Sequence, residues 1–200
     1  MKLFKQLLSA TCAGISLVSV PLFADDYSTK GAYVTGSIGG SAVGDIDVQG
    51  VTSDVEFETG LGLDLGLGYD FGNIRVEGTW TRCQSDKTSW VGYTIKTDTT
   101  IDSVMASVYY DFREDKQWSP FLGVSAGATS VDFDGASESD YSYGLGYGLT
   151  YKTSDQVEFF FKGQTIVVPE LRFAATANNG TVVINNGNYT NGTIGIRYRF

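Results

Sequence analysis

Residues 192–200 read GTIGIRYRF and close the chain. Large apolar or aromatic side chains occupy every second position, namely Ile194, Ile196, Tyr198 and Phe200. The positions between them carry small or charged side chains: Thr193, Gly195, Arg197 and Arg199. A period of two places alternate residues on opposite faces of a strand. The stretch therefore predicts a β-strand with one apolar face and one polar face.

The same period governs residues 55–71. One predicted face carries the large side chains Val55, Phe57, Leu61, Leu63, Leu65, Leu67, Tyr69 and Phe71. The other face carries glycines and acids: Glu56, Glu58, Gly60, Gly62, Asp64, Gly66, Gly68 and Asp70. Residues 141–151 repeat the pattern, with tyrosines and leucines alternating with small residues. We expect an all-β chain built from such strands.

The alternation by itself does not decide which face points inward. The alternating stretches run for about 11–17 residues, whereas strands of soluble proteins commonly have about 5–6. A tilted strand needs about 9–11 residues to cross a bilayer, and tyrosines at the ends of an apolar band suit the two membrane interfaces. We therefore expect the apolar faces to meet lipid and the glycines and charges to line a narrow interior.

Eight strands are predicted, at residues 31–43, 55–71, 74–85, 99–112, 120–134, 141–153, 157–168 and 188–200. The connections at 72–73, 113–119 and 154–156 are short, whereas those at 44–54, 86–98, 135–140 and 169–187 are mostly longer. Short turns on one side and longer loops on the other are typical of transmembrane barrels. Because open edges are not tolerated in hydrocarbon, we expect the first and last strands to pair. The prediction is an eight-stranded antiparallel up-and-down transmembrane β-barrel at residues 25–200.

Residues 1–24 are predicted to be a secretory signal that is removed. Lys2 and Lys5 precede a largely apolar stretch, and Ala24 stands at a plausible cleavage point. The alternative is a short helix that stays attached. Several polar residues and Pro21 interrupt the apolar stretch, which favours cleavage.

Composition excludes several classes of function. The sequence contains no histidine and carries a formal net charge of −9, and removal of Lys2 and Lys5 would make it more acidic. Without histidine there is no Ser–His pair and no imidazole zinc site, and an acidic chain is a poor ligand for nucleic acid. The sequence also shows no phosphate-binding loop or metal-binding cysteine cluster. We expect no cofactor, no metal, and a free thiol at Cys83.

Residues 104–112 (VMASVYYDF), 119–128 (SPFLGVSAGA) and the terminal IGIRYRF resemble the small outer-membrane β-barrel family. That family includes the transmembrane domain of OmpA, the opacity proteins and bacterial surface antigens. The resemblance covers roughly residues 31–200 and implies a fold and an outer-membrane location. Members mostly anchor, adhere or stabilise the envelope, so its implied partners are outer-membrane lipids and an external ligand of unknown identity.

The last strand also resembles the signal read by the barrel-assembly machinery, which is thus an expected partner. Its outward positions are Gly192, Ile194, Ile196, Tyr198 and Phe200. The alternative is an ordinary amphipathic strand that happens to end the chain.

Inward-facing charges form a second candidate site. Parity from Phe200 and from the leucine row predicts that these side chains point into the barrel: Glu56, Glu58, Asp64, Arg75, Glu77, Asp111, Glu158, Lys162, Arg197 and Arg199. Since buried charges must be paired, we expect an internal ion-pair network. This network either plugs the barrel or forms a gated, narrow ion path.

Residues 169–187 form the third candidate site. Apolar side chains flank an Asn-Gly pair, which predicts a hairpin rising above the membrane. Its apolar residues Leu171, Phe173, Val182, Val183 and Ile184 are either a surface-recognition loop or a segment packed over the barrel mouth or against lipid headgroups. The sequence as a whole predicts a non-enzymatic surface protein serving envelope structure or adhesion, with a narrow porin-like channel or small-molecule conduit as the alternative.

Overall fold

A computed structural model describes residues 30–43, 47–48, 55–57, 60–85, 88–90, 93–95, 99–112, 116–133, 136–175 and 180–200. The predicted signal at 1–24 lies outside these ranges. Among the described residues, no helix is both long and apolar enough to cross a membrane.

The described chain folds into strands that follow one another in this order: β1 (Gly31–Val43), β2 (Asp47–Val48), β3 (Val55–Phe57), β4 (Gly60–Asp70), β5 (Ile74–Ser85), β6 (Thr88–Trp90), β7 (Tyr93–Ile95), β8 (Thr99–Asp111), β9 (Trp118–Phe133), β10 (Ala136–Lys152), β11 (Val157–Ala175) and β12 (Gly180–Arg199). The eight long strands pair in the order β1-β4-β5-β8-β9-β10-β11-β12. Each pairing in this order is antiparallel.

Strands β1 and β12 close this sheet into a barrel. Their antiparallel pairing runs from Tyr33↔Arg199 to Val43↔Tyr189. Closure gives the backbone of the first and last strands a hydrogen-bonding partner, as a strand surrounded by hydrocarbon requires. The predicted eight-stranded, antiparallel, all-β barrel is confirmed.

The two faces of the wall differ as the alternation predicts. Leu61 is 72% exposed and Phe200 is 75% exposed. The other leucines of β4, at positions 63, 65 and 67, also point outward. The inward positions of the same strands carry buried polar residues such as Asp64 and Arg197. The large apolar side chains therefore form the outer surface, and polar side chains fill the interior.

One end of the barrel has short turns. Gly72 adopts a φ of 112° in the turn between β4 and β5, a conformation that glycine accepts readily, and its N–H donates to Asp70 Oδ1 at 2.8 Å. Pairs of aromatic rings surround this end: Tyr69–Phe71, Tyr110–Phe112, Trp118–Tyr151 and Tyr198–Phe200. Such a ring of aromatic side chains is typical of a membrane–water interface.

At the long-loop end, the prediction of one strand over 55–71 is wrong. Strand β4 begins at Gly60, where its ladder to β1 ends at Ser41; its ladder to β5 ends at Leu61, opposite Gln84. Without a barrel partner beyond that point, β3 pairs with β6, and β6 pairs with β7, in a separate three-stranded sheet. Residues 58–59 lie outside the described part of the chain.

Strands β10, β11 and β12 are longer than predicted. Hairpin pairing continues to Phe133↔Ala136 between β9 and β10, and to Ala175↔Gly180 between β11 and β12. The sequence suggests a loop at 135–140 and a hairpin at 169–187; in the latter, β11 and β12 pair on both sides of Pro169, which has no N–H to donate and is absent from the ladder.

Gly39 and Gly192 provide a test of the closing seam. A Cβ at Gly39 would lie 1.9 Å from the carbonyl oxygen of Gly192, whereas a Cβ at Gly192 would meet nothing within 4 Å. We expect Gly39→Ala to push β1 away from β12 and lower the thermal unfolding temperature, and Gly192→Ala to leave it nearly unchanged. Gel mobility of unheated protein after a temperature ramp measures this difference. Equal unfolding temperatures for the two variants would contradict the closeness of the seam.

Candidate functional site

The interior of the barrel holds ten buried charged side chains among the described residues. The acids are Asp64, Asp70, Glu77, Asp111 and Glu158, and the bases are Arg75, Lys152, Lys162, Arg197 and Arg199. Five negative and five positive charges balance, so the lumen as described is formally neutral. A narrow barrel of eight strands leaves an interior only wide enough for its own side chains.

Glu158 organises the cluster nearest the short turns. Arg197 donates from Nη1 to Glu158 Oε2, and Arg199 donates from Nη1 to Glu158 Oε1 at 2.7 Å. Arg199 also donates from Nη2 to Asp70 Oδ2 at 2.8 Å. One carboxylate thus holds two guanidinium groups, and the second acid balances their charge.

A second ion pair lies beside this cluster. Arg75 binds the carboxylate of Asp111 through Nε and through Nη2, the latter at 3.1 Å. The guanidinium carbon of Arg75 lies 5.1 Å from the ring centre of Tyr109 and 5.0 Å from that of Phe121. Arg197 lies similarly between Tyr33 and Phe160. Flat guanidinium groups stack well on aromatic faces, so inward aromatic rings fill the space between the charges.

The middle of the lumen is built around Lys162. Its Nζ lies 2.9 Å from Asp64 Oδ2, and the same oxygen accepts a hydrogen bond of 3.0 Å from the Ser37 hydroxyl. Glu77 accepts a hydrogen bond of 3.0 Å from the Thr79 hydroxyl nearby. Asp64 on β4 is therefore bound by side chains of β1 and β11, whereas Glu77 is bound by a side chain of its own strand, β5.

The lumen changes character toward the long loops. The hydroxyls of Ser103 and Tyr189 are 2.6 Å apart, Ser103 is 2.8 Å from Thr129, and Thr129 donates to Ser142 at 2.9 Å. Apolar side chains pack around this group, including Ile101, Met105 and Ile166. Cys83 is buried there with a free thiol.

The structure brings together eight of the ten charges that the sequence placed in the lumen: Asp64, Arg75, Glu77, Asp111, Glu158, Lys162, Arg197 and Arg199. The sequence prediction placed Glu56 in the lumen, but Glu56 belongs to β3 in the separate small sheet. Glu58 lies outside the described residues. Asp70 and Lys152 were missed as site residues, although their parity with Asp64 and Thr150 was a usable signal.

The outward residues of the last strand lie on the barrel surface. Ile194, Ile196, Tyr198 and Phe200 are exposed, and so is Gly192. Recognition of these residues by an assembly machinery stays a prediction.

In the predicted hairpin at 169–187, the backbones of β11 and β12 pair in register, with Leu171 opposite Ile184, Phe173 opposite Val182, and Val183 opposite Arg172.

Comparison with known families gives a match over nearly the whole chain. Residues 10–200 match the family described as outer membrane protein beta-barrel domain. The chain belongs to this family. It is an outer-membrane β-barrel protein, and its short-turn end is the periplasmic end under the usual arrangement of such barrels. None of the curated proteins compared matches it.

Solved structures with the same fold share little sequence with this outer-membrane barrel. Neisserial surface protein A is 18% identical with a TM-score of 0.64, covering 86% of this chain and 99% of its own. The outer membrane protein AlkL is 17% identical with a TM-score of 0.58, covering 92% and 96%. OprG from Pseudomonas aeruginosa is 12% identical with a TM-score of 0.54, covering 88% and 100%. At these identities the likeness concerns the fold alone.

Packing of the barrel is tight at the periplasmic end. The cavity between Arg75, Asp111, Glu158 and Arg197 has a volume of about 10 Å³, which is room for about one water molecule. Within the described ranges, no group of three or more acidic or cysteine side chains is placed to hold a metal ion.

Glu158 offers a test of the interior ion pairs. We expect Glu158→Gln to lower the free energy of unfolding by about 3–5 kcal/mol, because Arg197 and Arg199 would lose a buried anionic partner. Urea unfolding of protein folded into lipid vesicles, followed by tryptophan fluorescence, measures the change. The matched control is Asp155→Asn, which neutralises an exposed acid in the short turn between β10 and β11 and should have a much smaller effect. Equal losses in the two variants would argue against a stabilising role for the lumen network.

Proposed function

We propose that this outer-membrane barrel is a non-enzymatic surface protein, in which a plugged barrel anchors an external recognition hairpin formed by β11 and β12. The projection of that hairpin beyond its pairing with β10 carries the proposal. Its last pair is Ala175↔Gly180, whereas pairing of β11 with β10 stops at Val167.

The length of this projection is considerable. Residues 168–175 of β11 extend beyond the pairing with β10, and at about 3.3 Å per residue they span roughly 25 Å along the strand. The projecting parts of β11 and β12 pair with each other. Among the described residues they have one further strand partner, β2, which pairs with Ile184 and Asn185. A paired ribbon with largely open edges can present backbone and side chains to a partner.

The filled lumen supports an anchoring role over a conducting role. Arg75, Arg197 and Arg199 cross the interior at the periplasmic end and are held by buried carboxylates. Moving such a side chain aside would leave an unpaired buried charge, which is costly. The alternative of a narrow channel or conduit would require this network to open.

The chemistry of the lumen supports binding or anchoring over catalysis. The five buried acids all have a basic, hydroxyl or backbone partner. No histidine is present in the sequence to act as a base at neutral pH. Each acid therefore has a structural role in pairing, and none needs a catalytic one.

A planar-bilayer recording tests the closed lumen. We expect no single-channel conductance from the purified protein, and none from Arg197→Ala, because Arg199, Glu158 and Arg75 still fill the periplasmic end. A known porin inserted in the same bilayers serves as the positive control. Stepwise conductance from the wild type that Arg197→Ala enlarges would favour the channel alternative.

Shortening the hairpin tests its role in recognition. Residues 173–182 are replaced with Asn-Gly, so that the pair Arg172↔Val183 closes a two-residue turn. Cells displaying this variant should lose retention under flow on a surface that retains cells displaying the intact barrel. The assay compares them with cells displaying the intact barrel and with cells lacking it.

A matched control shortens the neighbouring hairpin. Residues 132–137 are replaced with Asn-Gly so that Val131↔Glu138 closes the turn. This variant should fold, as judged by gel mobility of unheated protein, and should keep full retention. Retention that both shortened variants keep, or that both lose, would count against recognition by β11 and β12.

A further inference from the structure

An apolar groove crosses the outer wall of the barrel. It has a volume of about 670 Å³ and runs from the middle of β1 across β12, β11 and β10 to the start of β9. Its sides are formed by outward residues of the wall, including Ile38, Phe159, Phe161, Ile194 and Ile196. Trp118 and Tyr151 stand at its far end, with ring centres 4.6 Å apart.

A glycine on the outer face, Gly36, gives the groove its depth. Gly36 points outward from β1, and a Cβ there would touch only Leu65, at 3.9 Å. Gly195 also lines the groove; it lies opposite Ser37 on the closing seam, and its missing Cβ would face the lumen, toward Phe160 and Ser37. Because Gly36 carries no side chain, the floor of the groove lies at the backbone of the closing seam, where Ser37 and Gly195 also line it.

The position of the groove indicates what fills it. Its sides belong to the lipid-facing surface of an outer-membrane barrel, so the groups that contact them are hydrocarbon chains. Its far end reaches the aromatic residues Trp118 and Tyr151, next to the short-turn, periplasmic interface. A chain lying along the groove would therefore extend from that interface toward the middle of the membrane.

The size of the groove fits one chain. Its volume of about 670 Å³ holds roughly 20 groups of about 30 Å³, the share of one water molecule in the liquid. A methylene group is of similar size, so a single long acyl chain occupies most of it. Tyr151 accepts a hydrogen bond from Gln117 Nε2 at 3.1 Å, which fixes the polar rim where a headgroup would begin.

We propose that this groove is a binding site for one acyl chain of a phospholipid from the periplasmic leaflet, held between Gly36 and Trp118. Contact with the floor gives the chain more buried surface than the rest of the lipid-facing wall offers. The site is independent of the external hairpin, and the lipid would remain bound when the bulk membrane is removed.

Native mass spectrometry of detergent-extracted protein tests the proposal. The full chain is titrated with phosphatidylethanolamine, and the lipid concentration that gives half occupancy of the first adduct is measured. We expect Gly36→Leu to fill the groove and raise this concentration about tenfold, the loss expected when about two buried methylene groups are displaced. Gel mobility of unheated protein confirms that each variant is folded.

Gly78→Leu is the matched control. Gly78 also faces outward, on β5, with its nearest Cβ contact at 4.0 Å, but it does not line the groove. This variant should bind the first lipid as the wild type does. A milder variant, Gly36→Ala, keeps the test informative if leucine prevents folding, and should weaken binding by a smaller factor.

Three results would overturn the proposal. Equal binding by the Gly36 and Gly78 variants would place the lipid elsewhere on the wall. Absence of a persistent phospholipid adduct on the wild type would show that the groove holds only freely exchanging lipid. An adduct whose mass matches a free fatty acid or another apolar molecule without a headgroup would assign the groove to that ligand instead.

Discussion

The pairing of β1 with β12 is the constraint on which the rest of the structure depends. In hydrocarbon an unpaired backbone N–H or C=O has no water to turn to, so the sheet must close on itself. Closure at Tyr33↔Arg199 through Val43↔Tyr189 fixes the register of the last strand. That register in turn decides which end of the barrel receives Arg197 and Arg199, and it makes close approach at Gly39 necessary.

A closed ring of eight strands leaves little room inside, and this explains the chemistry of the lumen. Charges placed there cannot be hydrated as they would be in water, so each needs an opposite charge or a hydrogen-bond partner. Glu158 meets two arginines, and aromatic rings such as Tyr109 and Phe121 pack against the guanidinium of Arg75. Stability and the filling of the lumen are therefore two consequences of the same packing.

The sequence predicts which face of a strand a side chain occupies better than it predicts which residue that side chain contacts. Alternation was enough to place Leu61 and Asp64 on opposite faces, because parity is a property of one strand; strand length and the tyrosines at the ends of the apolar band then assigned the apolar face to lipid. The contact of Asp70 with Arg199 joins residues 129 positions apart and depends on how far each strand is staggered in the closed barrel. Alternation also continued past the point where β4 loses its partners, which is why it assigned Glu56 to the lumen although β3 belongs to another sheet.

The lumen and the rest of the molecule differ in their charge balance. The ten buried charges of the lumen cancel, so the formal net charge of −9 of the chain is carried by its other residues. A change to a lumen charge such as Glu158 unbalances a closed set and costs stability, whereas β11 beyond Val167 pairs with β12 alone among the described strands. Sequence change is therefore better tolerated in the projecting hairpin than in the lumen, and the hairpin is where a barrel of this kind can acquire specificity without losing its fold.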